Sequence, residues 1–170
     1  MLPKSYVIAK WVVYALATLA LFALQDVLLD QLRLWGAAPC IYPMLPAVLA
    51  SYEGLRRGGA FALVLGVVCD LLLPGPFMGF FTLTFTLTGL LTGLVGEKLL
   101  SPGPLCGLCA AAMGLLITGF ARVAVQLLSG GGYLGLMAQT ALREALATLP
   151  ALAAVLPLYS VIHRRCAADY

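Results

Sequence analysis

Charge is what this chain has least of: only 10% of its 170 residues are Asp, Glu, Lys or Arg, and it carries a single histidine, His163. So few ionic groups cannot keep the surface of a soluble domain hydrated, and they leave no basic stripe for nucleic acid. Hydrophilic stretches are short, which leaves no room for a soluble catalytic domain. Groupings that carry chemistry are also missing. There is no Gly-x-x-x-x-Gly-Lys-Ser/Thr phosphate loop, no nucleophile with a base and an orienting acid, and no paired carboxylates on one face. Cys106-Gly-Leu-Cys109 has redox or metal spacing, yet zinc wants four ligands and His163 belongs to the far C-terminal end. The five cysteines, Cys40, Cys69, Cys106, Cys109 and Cys166, are odd in number and lie mostly in apolar runs, so they read as packing residues rather than a disulfide framework. These absences predict a chain that is not an enzyme and uses no metal or cofactor.

What is present is apolar. Hydrophobic residues make up 62% of the chain, and the mean hydropathy is +1.03. A bilayer core of roughly 30 Å needs about 20 apolar residues per helix. The runs and their Pro/Gly breaks predict an all-α membrane protein, one bundle of about six transmembrane helices over 6–24, 39–52, 58–73, 79–95, 105–128 and 145–162. Lys4 and Lys10 before the first run imitate a signal peptide, but no small-x-small cleavage site precedes Gln25 and Asp26, so the first helix reads as retained. The second segment, entered through Pro39, Pro43 and Pro46, is short for a full crossing and reads as either a bilayer-thinning or a partly re-entrant helix. Residues 133–141 read as lying along the interface.

Basic residues fix the expected orientation, because short loops rich in Lys and Arg stay cytoplasmic. Alternate connections place Lys4, Lys10, Arg56, Arg57, Lys98, Arg164 and Arg165 on one side and Arg33 on the other. Both termini are therefore expected in the cytoplasm.

Two ionisable residues fall within predicted spans. Asp70 lies toward the outer end of the third, and Arg122 lies at similar depth in the fifth. Each is costly in lipid alone, so Asp70 is expected either to make a polar contact that fixes the hairpin or a partner site or to reach interfacial water, and Arg122 either to pair with Asp70 or to snorkel to the outer headgroups. The fourth predicted helix carries Thr84, Thr88 and Thr92 beside Gly89 and Gly93, the Gly-x-x-x-Gly spacing that lets two backbones approach. Its threonines are expected either to bond a neighbouring helix or to bond back to their own carbonyls.

Arg56-Arg57-Gly58-Gly59-Ala60, then Leu65-Gly66-Val67-Val68-Cys69-Asp70-Leu71-Leu72, then Pro74-Gly75-Pro76-Phe77-Met78-Gly79, resemble the bacterial rod shape-determining MreD family. The resemblance implies a multi-pass subunit of the bacterial cytoplasmic membrane. It implies a non-enzymatic scaffold of the cell-elongation complex that binds an MreC-like membrane protein and, through it, the cell-wall synthase and MreB-like filaments. Gly66 and Gly79 join Thr88, Gly89, Thr92 and Gly93 as expected helix-packing or partner-interface positions. The fold implied is similar to the S-component of energy-coupling-factor transporters. That similarity supplies the alternative function, a substrate-binding subunit of a vitamin transporter, with Asp70, Arg122, Gln126, Trp35 and Arg143-Glu144 as its outer polar groups.

Overall fold

The computed structural model describes residues 4–29, 31, 39–98, 103–130 and 134–167. Expectations for Arg33, Trp35 and the side chains of Lys4, Arg164, Arg165 and Cys166 fall outside what is described. Among the described residues all regular structure is helical: α1 Lys4–Leu24, α2 Met44–Leu72, α3 Phe80–Lys98, α4 Pro104–Leu128 and α5 Leu134–Ala167. Three of its helical stretches, Ala9–Val27, Phe80–Lys98 and Pro104–Leu128, are long and apolar enough to cross a membrane. Gln139–Leu152 and Val155–His163 add a fourth if that pair, bent by 48°, is one span.

α1 contains neither Gly nor Pro and runs straight into a π turn at Gln25–Leu29. The turn brings Gln25 inward, where its amide donates to the Pro39 carbonyl (2.7 Å) and accepts from the Ile41 amide (3.0 Å). Gln25 thereby supplies the hydrogen bonds that the irregular entry to α2 cannot make within a helix.

α2 spans both the second and the third segment expected from sequence. No loop separates them. The break is one residue, Gly54, at φ 80° and ψ 179°, a conformation that side chains with a Cβ rarely adopt. The two arms, 44–53 and 55–72, fold back on each other so closely that a Cβ at Gly58 would run into the backbone and methyl of Ala50. The first arm is about ten residues long, roughly 15 Å, half a bilayer core. Every residue from Ile41 to Tyr52 is buried, so this arm is the centre of the bundle and its shortness exposes no backbone to lipid.

The second arm stops at Leu72 because Leu73, preceding Pro74, is extended (φ −112°, ψ 140°). α3 then returns antiparallel along this arm. α4 begins with Pro104 in its first turn and closes at Gly130 (φ 77°), and its Gly114 faces the Pro43 carbonyl at the head of the first arm. α5 holds Pro150 and Pro157, whose missing amides account for its bend. The bend lies near residue 153, and residues 134–141 are continuous with the rest of α5.

Candidate functional site

Asp70, near the end of the second arm of α2, does not meet Arg122. Its carboxylate accepts the backbone amides of Phe81 (2.9 Å) and Thr82 (2.8 Å) and the Thr82 hydroxyl (2.5 Å). Asp70 thus caps the first turn of α3, where unpaired N–H groups and the helix dipole both favour an anion. Of the contacts expected of Asp70, this is the one that fixes the hairpin; the pairing with Arg122, suggested by depth alone, is not formed, because these nearer donors take the carboxylate.

Glu97, near the end of α3, completes the pattern by accepting the amide of Leu55 (2.8 Å), the first residue of the second arm. Each helix of the antiparallel pair therefore carries the acid that caps the other. Between the caps the helices are in backbone contact. A Cβ at Gly66 would lie 2.6 Å from Thr82 Cα and one at Gly93 2.8 Å from Leu55 Cα, while one at Gly89 would strike Ala62. Thr84, Thr88 and Thr92 are buried on this side, and the hydroxyls of Thr88 and Thr92 donate to carbonyls one turn back on their own helix (2.7 and 2.8 Å). Their role is to satisfy themselves at a close contact rather than to bond across it. Gly79 makes no close helix contact: among the described residues nothing lies within 4 Å of where its Cβ would be, and its φ of 90° shows that the turn into α3 requires glycine.

At the end of the bundle that carries Arg56, Arg57 and Lys98, a polar cluster ties α1 and α5 to the α2 turn. Lys10 contacts both oxygens of Glu53 (2.7 and 2.8 Å), Tyr14 donates to the same carboxylate (2.9 Å), and His163 approaches it at 3.4 Å. The side chain of Glu53 is only 3% exposed. Lys10, Tyr14 and His163 supply the hydrogen bonds that compensate the burial of this carboxylate.

At the opposite end, α4 and α5 frame a cleft of about 350 Å³. Arg122 lies on its wall and pairs with Glu144 (3.1 Å), not with Asp70. One turn away on each helix stand Thr118 and Thr148. Thr148 donates to the Glu144 carbonyl (2.5 Å) and accepts from the Cys40 amide (3.2 Å). The Thr118 hydroxyl is buried and has no hydrogen-bond partner among the described residues. Gln126 also lines this cleft, and a second one of about 230 Å³ adjoins the other side of the Arg122–Glu144 pair.

Sequence reasoning named Asp70, Arg122 and the glycines but missed Glu53 and Glu97, and it assigned Glu144 no partner. The signal for Glu97 was an acid at a helix C-terminus, where it opposes its own dipole unless another helix starts nearby. Of the Cys106 and Cys109 pair, the first is buried and the second exposed. No protein-family model matches the chain, and neither a curated protein nor a solved structure matches it.

Proposed function

We propose that this chain is a non-enzymatic scaffold subunit of the bacterial cell-elongation complex, of the MreD kind, which receives the membrane helix of an MreC-like single-span partner. The observation that supports this reading best is an apolar groove of about 240 Å³ between α1 and the second arm of α2, walled by Leu19, Phe22, Val64 and Val68. Trp11 stacks on Phe61 (6.1 Å) where the helices meet; past that contact the groove parts them. The groove is nearly free of polar atoms, as the ridge of a partner helix requires in lipid, where close packing rather than hydrophobicity drives association. The motif behind the resemblance also has structural work in this fold: Gly66 admits α3, Asp70 caps it and Gly79 turns the chain into it.

In this reading the membrane is the bacterial cytoplasmic membrane, crossed about six times if the short arm 44–53 counts as one crossing. The end bearing Lys10, Arg56, Arg57 and Lys98 faces the cytoplasm together with both termini. One observation favours the alternative of a transporter's substrate-binding subunit, namely the outer cleft between α4 and α5. Co-purification from native membranes separates the two. A single-span MreC-like protein is expected to accompany the chain, and recovery of a pair of ATPases in its place would favour the transporter.

A further inference from the structure

We infer that the cleft between α4 and α5 is a binding site for a small zwitterion, a molecule carrying a protonated amine beside a carboxylate or phosphate. The inference stands apart from the partner reading, because a scaffold needs no ligand in this cleft and a failed binding test leaves the groove at α1 untouched.

The chemistry follows from three side chains. Thr118 and Arg122 are one turn apart on α4, and both line the cleft. Across from them Glu144 on α5 holds one guanidinium N–H of Arg122 at 3.1 Å. Arg122 also reaches the Cys40 thiol, and with these contacts the guanidinium and the carboxylate, whose side chains are 35% and 41% exposed, keep hydrogen-bonding capacity to spare. A simple anion drawn to Arg122 would meet the charge of Glu144, and a simple cation drawn to Glu144 would meet that of Arg122. A zwitterion satisfies both, replacing one internal pair by two external ones without adding net charge to the site. Its size also fits, since about 350 Å³ lies at the small end of ligand cavities.

Thr118 points to the same occupant independently. Only 1% of its surface is exposed, and among the described residues its hydroxyl bonds nothing, not even the carbonyl one turn back that Thr88 and Thr92 use. An unsatisfied buried hydroxyl is costly, and here it lies on the cleft wall beside the ion pair. A carboxylate or phosphate oxygen held by Arg122 is the acceptor it lacks.

Such a group has two sources at a membrane surface, a soluble amino acid or the phosphoethanolamine headgroup of a lipid. The full chain, purified in an uncharged detergent, is tested by thermal melting with L-alanine, sn-glycero-3-phosphoethanolamine, sn-glycerol 3-phosphate and ethanolamine. Native mass spectrometry with phosphatidylethanolamine and with phosphatidylglycerol provides the lipid arm. A zwitterionic probe is expected to raise the melting temperature and the two singly charged probes are not. A response to L-alanine alone assigns a soluble ligand; retention of phosphatidylethanolamine over phosphatidylglycerol assigns a headgroup. Arg122→Gln and Glu144→Gln are each expected to weaken binding about tenfold or more. Thr118→Val keeps the shape and removes the unpartnered hydroxyl, so the unliganded protein should be as stable or more so while affinity falls about fivefold. No response to any zwitterion, an equal response to sn-glycerol 3-phosphate, or full affinity in Thr118→Val overturns the site.

Discussion

Asp70 and Glu97 stand at opposite ends of the α2–α3 pair, and each carboxylate binds the first turn of the helix it does not belong to. An acid near the end of its own helix opposes that helix's dipole; set on a neighbour's start it complements one. The antiparallel arrangement makes both contacts possible at once, so the two acids also fix the register of the glycine contacts between them. A slip of one helix along the other breaks both caps.

Removing a cap should therefore cost stability. Asp70→Ala leaves two amides and the Thr82 hydroxyl without their acceptor and is expected to lose about 2 kcal/mol in reversible unfolding from mixed micelles. Asp70→Asn should lose less, and Glu97→Gln less again, because Glu97 is exposed and holds one amide. Asp70→Asn combined with Arg122→Gln is expected to be additive within about 0.5 kcal/mol, as for groups with separate partners. A larger coupling would mean that Asp70 and Arg122 meet after all.

The close approach of α3 to α2 makes a steep prediction at Gly93. Any Cβ there would sit 2.9 Å from the Leu55 amide nitrogen, so Gly93→Ile has no room without parting the helices. Loss of accumulation, or at least about 3 kcal/mol of stability, is expected, whereas Leu94→Ile on the exposed side should be mild. Similar losses from both substitutions would contradict the contact.

Much of the helical plan was legible because it rests on composition and on Pro and Gly punctuation. The starts and ends of α1, α3 and α4 follow from uninterrupted apolar runs and from the Pro-rich turns around them. Legibility failed where tertiary contact overrides local pattern. Arg56 and Arg57 read as a loop, yet the chain reverses on Gly54 alone, because a glycine at positive φ does in one residue what a loop would do in several. The buried state of Ile41–Tyr52 was equally hidden, since an apolar segment looks the same whether lipid or protein surrounds it. At the polar sites, depth along a helix suggested which charges share a layer. It could not tell which face each occupies, and so Asp70 went to α3 and Arg122 to Glu144.

The scaffold reading is tested most directly by a photo-crosslinking residue at Val64, in the groove between α1 and α2, in the organism's own membranes. Leu116, an exposed position on α4 outside that groove, serves as the control. Mass spectrometry of the adducts is expected to identify an MreC-like single-span protein from Val64 and little or none of it from Leu116. Equal yields from both positions, or Val64 adducts with lipid alone, would contradict the partner site and with it the proposed function.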